Sequence, residues 1–333
     1  NAGLSSDGGS DNLYLTTENR LIYNKLFNED HKLLVSAILQ TSDQTSSSYF
    51  SSTSGNSGAG LSDPVIGSTT KNAAGGSGRV VYRSIGGVLN AHYTLKNRYM
   101  FNAGYRLEAS SSMAPNSRWG GFPTLGVAWQ LGDEPFMKEL PQVSVAKIRI
   151  NWGQSGNSPS GSAPYVGAFS AIPNGYGEMP AIQPIRINLS NLRYELISQS
   201  NLGIDVGLFD NKLNVTVDLY DKLTSDMLQR NVTLPGSTGF TSVTYYNSGK
   251  MSNKGWEFRT DVEALRTKKW RLSFDFNIAN NQNEILELPD NKKEAAYTFG
   301  NRRYAYKFVE GDPLGSFYGY KYTGVYQNVE ETY

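Results

Sequence analysis

Hydrophobic and polar residues alternate without a break over residues 213–220, whose sequence is LNVTVDLY. Successive side chains of an extended chain point to opposite faces, so the alternation predicts a β-strand with one apolar and one polar face. Amphipathic strand patterns of this kind recur along the chain, and no segment has a convincing helical period. The predicted strands are 13–27, 31–41, 79–95, 98–110, 120–131, 142–155, 196–209, 213–227, 246–264 and 269–283.

The connections between these strands differ in length in a regular order. The short links are 28–30, 96–97, 132–141, 210–212 and 265–268. The long ones are 42–78, 111–119, 156–195, 228–245 and 284–315. Because short and long links are strictly interleaved, all short turns lie at one end of the predicted sheet and all long loops at the other. Outer-membrane barrels are built in this way, with short periplasmic turns and long extracellular loops.

A soluble β-sandwich is the alternative, since its hairpins also alternate apolar and polar residues. The predicted strands are mostly ten to fifteen residues long, whereas strands of globular proteins have about five or six residues and tilted membrane strands need about 9–11. Aromatic residues near the strand ends also favour a barrel, because such residues form girdles at the membrane interfaces. These residues are Tyr14, Phe27, Trp129, Trp152, Phe209, Tyr220, Trp256 and Trp270. We therefore predict an all-β chain that forms part of a large antiparallel transmembrane barrel.

Composition excludes several classes of function. The 31 Lys and Arg residues balance 30 Asp and Glu residues, so bulk electrostatics gives no reason to expect nucleic-acid binding. The 333-residue chain has no cysteine, and its two histidines, His31 and His92, lie far apart. A disulfide or thiolate site is therefore impossible, and a zinc site, a catalytic triad or another cofactor site is not expected. No run of 18 apolar residues is present, which excludes a transmembrane helix.

Two groups of residues are candidates for a transport site. A lumen needs polar walls, and charged residues opposite the apolar faces provide them; most of these would bond to a plug or to each other. The lumen or plug-facing candidates are Arg98, Arg106, Glu108, Glu257, Arg259, Asp261, Glu263, Arg271 and Asp275. Aromatic rings in the long loops could stack on sugar rings, although such rings more often pack against their neighbours. The substrate-contact candidates are Trp119, Tyr165, Tyr176, Tyr245 and Tyr246.

Loop 42–78 differs from the other long loops in its composition. Serine and glycine make up 18 of its 37 residues. Such a segment buries too little apolar surface to order itself, so we expect a mobile loop. A loop that a partner or substrate orders is the alternative. Loop 156–195 contains aromatic residues and several prolines, and we expect it to pack against its neighbours.

Six stretches in a fixed order carry a resemblance to a known family. They are SRWGGFPTLGVAWQLGDEPFMK (117–138), VAKIRINWGQSGN (145–157), QSNLGIDVGLFDNKLNVTVDLYDKLTSDML (199–228), LPGSTGF (234–240), NSGKMSNKGWEFRTDV (247–262) and EGDPLGSFYGYKYTGVYQ (310–327). Together they resemble the SusC/RagA family of TonB-linked outer-membrane transporters from Bacteroidetes. The resemblance covers about residues 98–330.

This resemblance implies a 22-stranded barrel in the outer membrane, of which the chain would supply roughly ten or eleven consecutive strands. It also implies a plug domain inside the barrel, a TonB box that contacts the energy-transducing complex, and a SusD-like surface lipoprotein over the extracellular mouth. The chain lacks the plug and the TonB box, so we expect it to be a piece of a longer protein. Members of the family often form a dimer of transporter–lipoprotein pairs.

The function that the resemblance implies is nutrient import without covalent chemistry. Typical cargo of the family is glycan fragments or, in the RagA branch, peptides, so we do not expect an enzyme. One alternative is a siderophore or vitamin receptor with the same barrel, which works without a lipoprotein lid. A secreted glycan-binding β protein is an alternative from another class, and independence from detergent would distinguish it.

Overall fold

A computed structural model of the chain describes residues 3–56, 72–159, 163–172, 177, 179–289, 294–298, 305–319, 321–322 and 324–325. Its regular structure is almost entirely β. The strands are β1 (Gly3–Asn28), β2 (His31–Asn56), β3 (Asn72–Leu95), β4 (Tyr99–Ser110), β5 (Trp119–Gln130), β6 (Val143–Asn157), β7 (Ala168–Ile172), β8 (Ala181–Arg186), β9 (Glu195–Leu208), β10 (Leu213–Ser225), β11 (Leu228–Thr233), β12 (Ser242–Asn247), β13 (Lys250–Arg266), β14 (Arg271–Glu287), β15 (Glu294–Thr298), β16 (Ala305–Val309) and β17 (Phe317–Tyr318).

Ten of these strands form one antiparallel sheet in the order β1-β2-β3-β4-β5-β6-β9-β10-β13-β14. They correspond one to one to the ten strands predicted from the alternation, so the all-β prediction is confirmed. The sheet does not close on itself, because β1 and β14 remain its two edges over the described residues. The short helical segments in this part of the chain are 3-10 turns, and none of its helices could cross a membrane.

The limits predicted for the long loop 42–78 were wrong, whereas those of 111–119 and 156–195 agree with the observed strand ends within two residues. Over 42–78 we expected a mobile loop, yet β2 continues to Asn56 and β3 begins at Asn72, and the two strands pair up to Ser54 and Asn72. Main-chain hydrogen bonds in a ladder need no apolar side chain, which explains why a Ser/Gly-rich segment can still form strands. Residues 57–71 of this predicted loop lie outside the described residues.

The other long connections also contain regular structure. The predicted loop 156–195 includes the hairpin β7–β8, and the predicted loop 228–245 overlaps the hairpin β11–β12. Within the predicted loop 284–315, β14 extends to Glu287 and is followed by the small sheet β15-β16-β17. Sequence alternation misses such hairpins, because strands of five or six residues give a weak two-residue signal. As predicted, the short turns lie at one end of the large sheet and the long connections at the other.

The register gives the large sheet two chemically distinct faces. Val217 in β10 lies opposite Ile204 in β9 and Phe258 in β13, whereas its neighbour Asp218 lies opposite Gly203 and Glu257. The same alternation continues across the sheet, so that one face collects the aliphatic and aromatic residues and the other collects polar and charged residues. We call these the apolar face and the polar face.

The apolar face is a band of limited height. On β10 its apolar positions run from Leu213 to Leu219 and end at Asp221, whose carboxylate pairs with Lys254 on β13 at 3.4 Å. Six residues of a strand span about 20 Å along its axis, or roughly 15 Å of height at a tilt of about 40°, which fits within the height of about 25 Å that lipid-facing bands have. Large side chains in the band are exposed, for example Ile150 and Phe274, each at 58%. No soluble core covers them in the described structure.

The most deeply buried residues lie among the long loops and at the ends of the strands beside them. One cluster contains Met113, Phe122 and Tyr194, and the ring centroids of Phe122 and Tyr194 are 5.6 Å apart in an edge-to-face arrangement. A second cluster contains Ala114, Leu192 and Tyr245. The ordered core of the described residues is therefore located where the long connections meet.

Candidate functional site

The polar face gathers the predicted charged residues of β4, β13 and β14. On β4, the Arg106 guanidinium lies 2.5 Å from the Glu108 carboxylate. On β13, the Arg259 guanidinium donates to Asp261 at 3.0 Å, and Asp261 lies opposite Asp275 of β14. Glu257 shares the face with them through its register with Asp218. The arginines Arg106 and Arg259 are therefore each paired with a carboxylate of the same strand.

A second group of charges lies at the short-turn end of β13 and β14. The Glu263 carboxylate is 2.8 Å from the Arg271 guanidinium and 3.7 Å from that of Arg266. Glu263 also lies opposite Ser273, which places all of these residues on the polar face. The sequence predicted Glu263 and Arg271 for this face but not their direct pairing.

A three-strand network centred on Arg149 was not predicted from the sequence. Its guanidinium donates two hydrogen bonds to Asp205, at 2.8 and 3.1 Å, and reaches both carboxylate oxygens of Asp218, at 3.3 and 3.4 Å. Asp205 and Asp218 belong to the consecutive strands β9 and β10, whereas Arg149 belongs to β6, more than fifty residues earlier. All three occupy polar positions of the alternation, so the signal was present, but their meeting depends on a strand register that the sequence does not specify.

A belt of uncharged residues, most of which carry carboxamide side chains, crosses the same face. It runs in register from β4 to β9 through Asn102, Gly126, Asn151 and Asn201. A Cβ atom on Gly126 would lie 2.6 Å from Asn151 Oδ1, so glycine leaves room for the Asn151 side chain to lie across the sheet. The belt lines a cavity of about 370 Å³, together with Gln199 and neighbouring residues. This part of the polar face is uncharged and rich in hydrogen-bonding groups.

Arg98 was predicted to face the lumen, but the structure places it in the turn between β3 and β4. Its Nη1 atom donates to Glu134 Oε2 at 3.1 Å, while Tyr99 and Trp129 donate to Glu134 Oε1 at 2.7 and 3.0 Å. Lys96 and Asn97 have left-handed backbone conformations, so the chain reverses before Arg98 and directs it along the turn. We call these four residues the turn clasp.

The buried Glu134 carboxylate joins two neighbouring turns at the short-turn end of the sheet. The hydrogen bonds from Tyr99 and Trp129 hold the pKa of Glu134 below its ordinary value, and the positive charge of Arg98 acts in the same direction. The ionised carboxylate is therefore the form that the clasp stabilises.

The loop cluster is formed by the described parts of three long connections, namely 111–118, then 163–172 with 179–194, and 226–249. The Ala114 amide donates to the Leu192 carbonyl at 3.2 Å, which joins the first two segments. Asn247 joins the second and third: its Oδ1 accepts from the Arg193 amide at 2.9 Å, and its Nδ2 donates to the carbonyls of Arg193 and Asp226 at 2.8 and 3.0 Å. These bonds hold the long loops in one arrangement.

Charged and aromatic pairs strengthen the same cluster. The Arg193 guanidinium donates to the Asp226 carboxylate at 2.5 Å, and this bond raises the pKa of Arg193. The Arg230 guanidinium lies over the Tyr245 ring, 5.4 Å from its centroid. Burial raises the pKa of Tyr194, which therefore stays protonated.

The four aromatic candidates among the described residues are not brought together at one site. Trp119 is the first residue of β5 and points to the apolar face, opposite Ala109. Tyr165 packs against the second buried cluster and accepts a 3.3 Å hydrogen bond from Arg118, and Tyr245 is buried in that cluster. Tyr246 is 40% exposed and lines a cavity. Tyr176 lies outside the described residues.

The predicted aromatic girdle is mixed in its placement. Trp129 and Trp256 lie on the apolar face near opposite ends of the band, as an interfacial position requires. Tyr220 lies on the polar face, opposite Asn201 and Gly255, so it does not belong to a girdle.

Among the described residues, no group of three His, Cys, Asp or Glu side chains is close enough to hold a metal ion.

Comparison with known proteins agrees with this geometry. The family described as TonB dependent receptor-like, beta-barrel matches residues 2–333. The chain is 34% identical over 236 residues to TonB-dependent receptor P39 of Formosa agariphila, an alignment that covers 71% of this chain and 22% of that protein. It is 30% identical over 204 residues to TonB-dependent receptor SusC of Bacteroides thetaiotaomicron, covering 59% of this chain and 20% of that protein.

A solved structure of the RagAB peptide transporter has the same fold, with a TM-score of 0.84 and 22% identity over 94% of this chain and 34% of that one. The outer-membrane transporter YddB of Escherichia coli superimposes with a TM-score of 0.58 at 10% identity, covering 93% of this chain and 38% of that one. The chain spans about a fifth of the length of the curated relatives that it matches. It belongs to the TonB-dependent receptor-like β-barrel family, and its ten-stranded sheet is part of an outer-membrane barrel.

Proposed function

We propose that this chain forms part of the wall and mouth of a TonB-dependent importer of oligomeric nutrients, either glycan fragments or peptides. The proposal rests on the family and on the similarity to SusC and to the RagAB peptide transporter. The importer works by gated passage, with energy from the TonB complex, rather than by covalent chemistry. The long-loop end of the sheet is then extracellular and the short-turn end periplasmic.

The observation that supports passage most directly is the two-faced sheet. Its apolar band is exposed in the described structure. An apolar surface of this size is stable only when hydrocarbon chains cover it. The polar face consists of paired charges and uncharged amides, such as the Arg149–Asp205–Asp218 network and the Asn102–Asn201 belt. Paired charges keep their hydration and hydrogen bonds without holding an ionic cargo tightly. Such a wall suits a hydrated lumen that also accommodates a plug domain.

Several partners are part of the proposal. A SusD-like surface lipoprotein would cover the extracellular mouth, where the loop cluster offers a firm platform. The TonB energy-transducing complex and the plug domain would act through parts of the longer protein, and two transporter–lipoprotein pairs would form a dimer. Lipids of the outer membrane would contact the apolar face.

Purification and growth experiments test this proposal. The full-length protein is tagged in its native host, extracted in detergent and examined for a co-purifying surface lipoprotein. The gene is then deleted, and growth is compared on oligosaccharides, on peptides and on ferric siderophores as the iron source. We expect a co-purified lipoprotein and a growth defect confined to one class of oligomer. A defect confined to siderophores, or a protein that stays monodisperse without detergent, would contradict the proposal.

A further inference from the structure

The loop cluster contains a cavity of about 430 Å³, within the range of about 300–1,000 Å³ that small-molecule sites have. Its walls are the segments 188–193 and 245–247, which come from two different long connections. We call it the amide cavity. It lies apart from the polar face of the sheet, and the nutrient-import proposal assigns no role to it.

Uncharged hydrogen-bonding groups line this cavity. Asn188, Ser190 and Asn191 are exposed, and within the described part of the chain no hydrogen bond engages their side chains. Each carboxamide offers two donors and one acceptor oxygen, and the serine hydroxyl offers both functions. Beside them lies Tyr246, whose ring is 40% exposed. Free amides next to an accessible ring form a surface that can bond to hydroxyl groups and cover an apolar ring face.

The cavity has no uncompensated charge. Arg193 is its one ionisable group apart from the tyrosines among the described lining residues, and its guanidinium is bonded to Asp226 at 2.5 Å. An anionic ligand would have to compete with Asp226 for that guanidinium. A free peptide would bring a charged ammonium and carboxylate that the cavity cannot pair. The charge pattern therefore favours a neutral, hydroxyl-rich ligand.

The walls are ordered before any ligand arrives. Asn247 bonds to Arg193 and Asp226, and Leu192 is buried at 3% exposure beneath the cavity. The Leu189 amide donates to the Tyr165 carbonyl at 2.8 Å, which fixes the other end of the segment. Ligand binding would thus require little ordering of the backbone, which is the main advantage of a preformed site.

We propose that the amide cavity binds an uncharged sugar unit of an oligosaccharide, with Asn188, Ser190 and Asn191 bonding to its hydroxyls and Tyr246 covering its ring. This proposal rests on the proposed function as an importer of oligomers and narrows its cargo from glycans or peptides to neutral glycans. Because the cavity lies in the loop cluster, it would hold cargo at the extracellular mouth.

Calorimetric titration of the full-length protein in detergent tests the assignment. The probes are maltohexaose, xylohexaose and mannohexaose, with hexagalacturonate and a glycine–serine hexapeptide for comparison. We expect at least one neutral oligosaccharide to bind, and Tyr246→Ala and Asn191→Ala each to weaken it about tenfold, the effect of losing roughly one good contact. The control Gln183→Ala, an exposed residue of β8 outside the cavity, should leave the affinity unchanged.

A charge substitution gives the opposite test. Asp226→Asn removes the partner of Arg193 and keeps the side-chain shape, and asparagine tolerates the left-handed backbone at this position (φ 53°). We expect hexagalacturonate to bind this variant about tenfold more tightly than the unmodified protein, since its carboxylate can now pair with Arg193.

The outcomes separate the two proposals. If cells import an oligosaccharide but Tyr246→Ala and Asn191→Ala bind it as tightly as the unmodified protein, the amide cavity is not a binding site and the import proposal stands. Preference of the unmodified protein for hexagalacturonate or the hexapeptide, or no binding of any neutral probe, also overturns the cavity assignment. Absence of uptake of every oligomer by cells would instead overturn the import proposal.

Discussion

Replacing Phe274 by arginine places a charge on the apolar face without disturbing the strand pairing. Phe274 belongs to β14, lies opposite Val262 of β13 and is 58% exposed in the described structure. If this face meets lipid, the arginine is forced into hydrocarbon. If it meets water, the same change is a surface substitution of little consequence.

The position of Phe274 in the band determines the expected cost. It lies four residues beyond Trp270, which stands in the short turn before β14. Four residues span about 13 Å along a strand, and a tilt of about 40° reduces this to roughly 10 Å of height. Phe274 is therefore near the middle of a lipid-facing band about 25 Å tall, where an arginine costs about 2–4 kcal/mol.

A matched control is available one residue away. Ser273 has the same strand environment but lies on the polar face, opposite Glu263. Ser273→Arg adds the same charge next to a carboxylate, so we expect a change in the free energy of unfolding within about 0.5 kcal/mol, as for an ordinary surface substitution.

The assay is urea unfolding of the full-length protein in phospholipid vesicles, followed by tryptophan fluorescence. Phe274→Arg should lower the free energy of unfolding by about 2–4 kcal/mol, and Ser273→Arg should leave it nearly unchanged. Equal effects of the two variants, or a larger loss for Ser273→Arg, would refute the assignment of the faces.

Three further changes test other parts of the structure. Glu134→Gln should lower the melting temperature at neutral pH, because it removes the carboxylate that the turn clasp stabilises. The pKa of Glu134 in the folded protein lies below its ordinary 4.5, so the turn clasp stabilises the unmodified protein above that pH and this stabilisation is lost as the pH falls below about 4.5. Melting curves of the variant should not show this loss. Gly255→Ala should destabilise the barrel by about 1–3 kcal/mol in the same urea assay, because the added Cβ would clash with the Asn280 carbonyl; Gly87→Ala, which meets no atom within 4 Å, is its control, and equal effects would contradict the packing argument. Asn247→Ala should release the loop cluster and raise the rate of cleavage by added protease at least severalfold, with an unchanged rate as the contradicting result.

Much of the fold follows from the sequence, because side chains of a strand that divides lipid from water must alternate. Residues 213–220 show this in eight letters, and every strand of the large sheet was found from the same signal. The ends of β2 and β3 were missed since their pairing depends on main-chain hydrogen bonds between Ser- and Gly-rich segments, and composition does not report those bonds.

The candidate site was less predictable. Arg259 and Asp261 could be assigned to the polar face, since they alternate with apolar neighbours. The meeting of Arg149 with Asp205 and Asp218 requires the register of three strands, and the role of Asn247 requires the contact of two loops. Neither arrangement has a local sequence signal. Tyr245 is buried and Tyr246 is exposed because they point to opposite sides of β12. This difference could not be predicted, because the short hairpin β11–β12 was not recognised in the sequence.

Spin-label accessibility along β14 tests the central claim most directly. Single cysteines introduced at 271–278 can be labelled without interference from this chain, which has no cysteine of its own. In membranes containing the full-length protein, labels at 272, 274, 276 and 278 should be most accessible to oxygen, which concentrates in lipid, and those at 271, 273, 275 and 277 to a water-soluble nickel chelate or to neither reagent. An oxygen profile without this two-residue period, or one with the opposite phase, would contradict the account.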